Sequence, residues 1–217
     1  MSTFDDRYGQ DATQAIPTPG GRRHSGEPPS HPLNDYDAEE VEPESETRWH
    51  GGLDLGLLIL RVAVGGTALL HGLYRFGVFN GPGIDGVADG LAELGFTQQT
   101  TLLAWLLTAG EVGGGGLLIV GMFTPVAAAA ILAITAVAVF VNRAIGYFPV
   151  VQEDGAQLPG YAFPLMTGAA ALALLFTGPG RVAIDVATTW RRKPVPFGIV
   201  GVLLAAGAAV AVLVLAR

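Results

Sequence analysis

Four side chains in this sequence are at odds with their surroundings: Arg61, His71, Arg75 and Glu111. They sit within or at the end of runs of residues that suit hydrocarbon. A charge in such a run costs about 2.5–3.5 kcal/mol on insertion scales, so it needs a partner or a task. An arginine facing a glutamate makes a buried ion pair. A carboxylate beside an imidazole can accept a proton while the imidazole donates a hydrogen bond. With Arg61 placed at 0° on a helix, His71 falls at roughly 280° and Arg75 at roughly 320°, so the three groups share one face. Gly65 and Ala68 lie in or beside the same sector, and small residues let a second helix approach closely. The second helix is the run Thr108-Ala109-Gly110-Glu111-Val112-Gly113-Gly114-Gly115-Gly116, in which Thr108, Gly114 and Gly115 flank Glu111 on one face.

The depth of each group limits the pairings. At 1.5 Å per residue, Glu111 lies roughly 15 Å below the outer end of its span, His71 roughly 9 Å and Arg61 roughly 24 Å below the end of theirs. Glu111 is thus between them and within reach of either, with Arg61 taken as the pivotal partner. Three readings stand. In the first, an Arg61–Glu111 ion pair with His71 hydrogen-bonded nearby fixes helix register. In the second, the cluster lines a polar pocket in which Glu111 accepts a proton and His71 donates to a carbonyl, such as a quinone headgroup. In the third, it marks an ion or solute path.

The elements that must hold these groups follow from hydropathy. Half of the 217 residues are hydrophobic and 14% are charged, and the mean hydropathy is +0.46, which is a membrane-protein composition. Five spans are predicted, over about 53–77, 101–122, 124–143, 161–177 and 196–216, each long enough or nearly so for a roughly 30 Å hydrocarbon core. Thr124-Pro125 opens the third span, with Thr as N-cap and Pro at the first helical position. The link before it is so short that the second and third spans must form an antiparallel hairpin. Gly178-Pro179-Gly180 stops the fourth. Between the first two spans, Ile84, Val87, Ala88 and Leu91 share one side and Asp85, Asp89 and Glu93 the other, which predicts a short amphipathic helix in the interface. In the fifth span, Gly201, Ala205 and Ala209 form a small-residue stripe for helix packing, internal or with a partner.

Charge is distributed unevenly. Residues 1–52 carry all of the net −7, and residues 53–217 balance to zero. Residues 1–47 are rich in Pro, Gly, Ser and acids and contain no apolar run, so they are expected to be a disordered acidic tail without a signal peptide. Arg181, Arg191, Arg192 and Lys193 lie between the fourth and fifth spans, which by the positive-inside rule places that loop and the N-terminus in the cytoplasm and the C-terminus outside. Trp49 and Trp190 then fall at the inner interface, and Tyr147, Phe148, Tyr161 and Phe163 at the outer one. Asn142 and Arg143 are read as snorkelling at the outer end of the third span.

The chain has no cysteine, which excludes disulfides, thiol chemistry and Fe–S ligation by its own residues. His24, His31 and His50 fit no metal-binding spacing, so no metal is expected. No nucleotide loop, Rossmann glycine pattern or haem ligand pair occurs, and nothing points to nucleic acid.

Several pieces, in order, resemble the DoxX family of small bacterial membrane proteins: Leu60-Arg61 and His71-Gly72-Leu73-Tyr74-Arg75-Phe76 in the first span, Gly110-Glu111 followed by glycines in the second, and Thr177-Gly178-Pro179-Gly180-Arg181 with Asp185 after the fourth. The resemblance covers about residues 53–186. It departs from the family pattern at Pro125, where a basic residue is frequent, and in the acidic tail and fifth span. It implies a four-helix membrane bundle in a bacterial plasma membrane. Some relatives are associated with thiosulfate oxidation by quinone and others with membrane oxidoreductase complexes.

The expectation is an all-α polytopic membrane protein with three parts: a tail over 1–47, a DoxX-like four-helix domain over 48–186, and a basic loop with a fifth helix over 187–217. Its expected role is that of a subunit or accessory protein of a membrane redox or respiratory complex, carrying no redox cofactor and not an enzyme by itself. The alternative is a quinone-binding subunit using Glu111 and His71 for proton transfer. The third is a small transporter, against which the absence of an inverted repeat argues.

Overall fold

The computed structural model describes residues 51–217 except 154, 156, 189, 191 and 192. The acidic tail, Trp49, the three histidines before residue 51, Asp154, Arg191 and Arg192 therefore lie outside the described residues. Among the described residues six helices are seen: α1 (Gly51–Arg75), α2 (Gly83–Glu93), α3 (Thr100–Val120), α4 (Thr124–Asn142), α5 (Ala162–Thr177) and α6 (Pro194–Leu215). A two-stranded hairpin of β1 (Val150–Val151) and β2 (Gln157–Leu158) joins α4 to α5, pairing Val150 with Leu158 and Val151 with Gln157. Short 3-10 turns occupy Val78–Asn80 and Ile184–Ala187.

The chain is a multi-pass membrane protein. Helices α1, α3, α4 and α6 are long and apolar enough to cross a bilayer. At 16 residues α5 is shorter, about 24 Å at 1.5 Å per residue. The helices are apolar around much of their circumference, and Leu70, Leu106, Leu203 and Leu204 are exposed on the outside of the bundle, as lipid-facing side chains are. The interior is built instead from small residues and a few branched ones, among them Ala127, Ala128, Ile131, Ala171 and Ala205. The close approach this allows replaces the hydrophobic drive that lipid cannot supply between helices.

Helices α1 and α3 show this most directly. A Cβ on Gly65 would sit 2.6 Å from the Gly115 carbonyl oxygen, and one on Gly72 2.8 Å from the Val112 backbone nitrogen. The two backbones touch, and these contacts set the register of the pair. Gly201, Ala205 and Ala209 are likewise buried inside the chain: a Cβ on Gly201 would meet Leu175 and Ala129. Of the two uses predicted for that stripe, the structure shows the internal one, and α6 packs on α4 and α5.

Helix α2 is amphipathic as predicted. Val87 and Ala88 are buried with Ala104 of α3, while Asp85, Asp89 and Glu93 are exposed. At the same end of the bundle the last residues of α6 are fastened to the α2–α3 corner. Ala216 O accepts from Thr97 N at 2.9 Å and Gln98 N at 3.2 Å, and Arg217 Nη2 donates to Leu94 O. This end, with α2 and the hairpin, is called the hairpin end below. The opposite end, with Arg181 and Lys193, is the basic end.

Candidate functional site

At the basic end, Arg61 lies in the wall of a lock that joins three distant segments. The residue is 1% exposed, and its guanidinium donates through Nη2 to Val182 O, beyond the α5 stop. Gly121 must be glycine here: its φ is 72°, and a Cβ would collide with Arg61 Nη1. Gly121 also closes α3, its N–H donating to Leu117 O and that of Met122 to the same oxygen, in the manner of a helix C-terminal glycine turn.

Helix α4 begins one residue earlier than a Thr124 cap implies. Phe123 holds the cap position with φ 50° and no side-chain cap of its own. The cap comes from Asp185, whose carboxylate accepts from Phe123 N at 3.1 Å, Thr124 N at 2.8 Å and Thr124 Oγ1 at 3.0 Å. A carboxylate suits the positive end of a helix dipole, and its field also acts on Arg61. Asp185 N in turn donates to Gly121 O. Beside it, Asp54 of α1 accepts from Arg181 N at 2.7 Å. Asp54 and the capping role of Asp185 escaped the sequence reading. The signal that points to Asp54 is an acid in the first turn of a span, with no polar neighbour to explain it.

The predicted Arg61–Glu111 pair is not formed. Glu111 binds Arg75, with Nη1 to Oε1 at 2.7 Å. The backbone contacts of Gly72 with Val112 and of Gly65 with Gly115 explain this: they put Glu111 level with the last turn of α1 and leave Arg61 level with Gly121. Arg61 and Arg75 lie on one face, fourteen residues apart, so about 21 Å of helix separates them. Only Arg75 reaches Glu111. A double-mutant cycle with Arg75→Ala and Glu111→Ala, read by thermal unfolding in detergent, is expected to give a coupling of about 0.5–3 kcal/mol. A coupling near zero would remove Arg75 as the partner.

Glu111 is 7% exposed, and its second oxygen, Oε2, is buried without a hydrogen-bond partner. It borders a cavity of about 280 Å³ inside the bundle toward the hairpin end. Thr67, His71 and Arg75 of α1, Thr135 and Asn142 of α4, and Phe163 and Thr167 of α5 line the same space, and Pro159 and Gly160 wall its end. His71 stacks on Phe163 with ring centroids 5.4 Å apart and planes 17° apart. Thr135 donates its hydroxyl proton to Ile131 O at 2.9 Å, which leaves its lone pairs available as acceptors. Three of the four predicted residues, His71, Arg75 and Glu111, thus come together, while Arg61 belongs to the lock. Thr135, Asn142 and Phe163 are cavity residues that the sequence reading did not place there.

This arrangement defines a class: an all-α membrane bundle with a cavity bordered by polar side chains in one half and a buried arginine lock in the other. Residues 56–144 match the DoxX family model, in agreement with the resemblance read from the sequence over α1 to α4. The match ends before α5 and the Asp185 segment. No curated protein and no solved structure matches the chain.

Proposed function

We propose that the chain serves a membrane redox or respiratory complex as a subunit without a redox cofactor of its own, and that its cavity receives a carbonyl-bearing headgroup of the quinone class. The observation that carries this reading is the buried, unpartnered Oε2 of Glu111 beside a cavity of about 280 Å³. A buried polar atom left without a partner costs about 1–3 kcal/mol, more for a charged group. A ligand group that pairs with it recovers that loss.

The residues take distinct parts. Arg75 holds the Glu111 carboxylate in place. Glu111 Oε2 is the atom that would accept a ligand proton. His71, already fixed by its stack on Phe163, is placed to donate to a carbonyl. A quinone, when bound, would supply the electron-carrying chemistry that a chain without cysteine lacks among its own residues. Under the positive-inside rule the end bearing Arg181 and Lys193 faces the cytoplasm, so the cavity would serve the outer half of a bacterial plasma membrane. The hairpin end, with Phe148 73% exposed and Val151 62% exposed, offers a contact surface for the complex.

The test is binding of a quinone analogue to the purified full-length chain in lipid nanodiscs. Glu111→Gln is expected to lose about 1.5–3 kcal/mol, roughly ten- to a hundredfold in affinity, with the chain still monodisperse. Equal affinity in both proteins would make the Arg75–Glu111 pair a structural element. The complex is tested separately by mass spectrometry of what co-purifies from native membranes, where redox subunits in fixed ratio are the expected result.

A further inference from the structure

We infer that the cavity is loaded sideways from the bilayer, between α1 and α5, and that its ligand is an amphiphile whose apolar tail leaves along that seam. This rests on the reading that the cavity binds a polar head.

The route past the hairpin is narrowed by packed backbone. Pro159 and Gly160 cross the end of the cavity, and Gly160 is pressed against the backbone of Tyr147 and Phe148, where a Cβ would collide with both carbonyl oxygens. The segment is tied down on either side, with Tyr161 N donating to Gly146 O and Ala162 N to Tyr147 O, both at 3.0 Å. The β1–β2 hairpin extends from this tie, and Tyr147 packs edge-on against Phe148 and Tyr161. Opening this end means breaking backbone hydrogen bonds and separating packed aromatic rings.

The side wall is thinner. Helix α1 packs closely on α3, and α5 on α4 and α6, but α1 and α5 touch far less. Both helices contribute cavity residues along the seam, Thr67 and His71 from one and Phe163, Pro164 and Thr167 from the other. The His71–Phe163 stack bridges it. Both rings are exposed on the outside of the bundle, Phe163 by 54%, so a side-chain rotation that no backbone hydrogen bond opposes would open the seam. Phe163 is the second residue of α5, so the seam meets the membrane near its interface, where bilayer amphiphiles keep their polar heads. A head moving inward meets His71 first and Glu111 behind it. The tail stays in hydrocarbon.

The chain has no cysteine, so an introduced pair is unique. The test places His71→Cys and Phe163→Cys in the full chain in nanodiscs, joins them with a reducible bifunctional thiol reagent, and follows exchange of a decyl-tailed benzoquinone. Joining before loading is expected to slow uptake by about tenfold or more, and joining after loading to trap the probe; reductant restores exchange in both cases. Phe163→Ala, which keeps His71 and removes the ring that bridges the seam, is expected to speed association and dissociation together. Exchange unchanged by the cross-link overturns the lateral route and leaves the cavity reading intact, as does unchanged exchange in Phe163→Ala if the Cys pair no longer binds the probe. Absence of probe binding to the unmodified chain overturns the cavity reading itself.

Discussion

Asp185→Ala is expected to lower the stability of the detergent-solubilised chain by about 3–5 kcal/mol, the range seen when one member of a buried charged set is removed. The substitution deletes the acceptor of three hydrogen bonds, from Phe123 N, Thr124 N and Thr124 Oγ1. It uncaps α4 at a position where Phe123 supplies no side-chain cap. It also leaves the guanidinium of Arg61, whose Nε and Nη1 already lack partners, without the carboxylate whose field offsets its burial. Asp185→Asn keeps one acceptor oxygen and should fall between. Combining Arg61→Leu with Asp185→Asn should recover part of the loss, because removing both charges is milder than stranding one. Thermal unfolding followed by size-exclusion chromatography reads all three. A midpoint for Asp185→Ala equal to that of the parent would mean the lock contributes nothing.

The glycine run of α3 should split into two opposite responses. Gly115→Ala puts a methyl 2.6 Å from Gly65 O and from Leu69 N. These are backbone atoms that cannot rotate aside, so α1 and α3 must separate. Overpacking of this kind costs about 1–3 kcal/mol, and Gly115→Leu should prevent assembly. Added Cβ atoms at Gly113 and Gly116 meet nothing within 4 Å. Alanine there should raise stability by about 0.5–1 kcal/mol through helix propensity alone. Four adjacent alanine variants in one unfolding assay make the comparison, and a uniform response along the run would contradict the α1–α3 register. Because that register brings Arg75 to Glu111, Gly115→Ala should also weaken quinone-analogue binding in a way that Gly113→Ala does not.

These two sites show where sequence reading succeeds and where it stops. The helices were legible because a bilayer demands long apolar runs, and the observed ends of α1 to α6 fall within about two residues of the predicted ones. The pattern in α2 was legible for the same local reason, three acids on one side and branched apolar residues on the other. The choice between Arg61 and Arg75 was not. Both lie on the same face of one helix, and composition carries no information about how far an antiparallel neighbour slides along it. That offset comes from Gly65, Gly72 and Gly115 meeting backbone, which depends on the positions of both helices at once. The Asp185 cap was hidden for a related reason: 61 residues separate it from Thr124, and the link between them is neither a local cap signal nor a helical period. The cavity residues Thr135, Asn142 and Phe163 read as ordinary helix or interface residues until α4 and α5 are packed on α1.

The fastening of Ala216 and Arg217 to Thr97, Gln98 and Leu94 bears on the order in which the molecule can be completed. The corner between α2 and α3 is synthesised well before α6, yet the carbonyl that accepts its two N–H groups follows directly on that helix. Until α6 has inserted, the N–H groups of Thr97 and Gln98 lack this acceptor. Insertion of α6 therefore acts as a closing stitch, and a substitution that strains Ala216 or Arg217 would pull on the seam it completes.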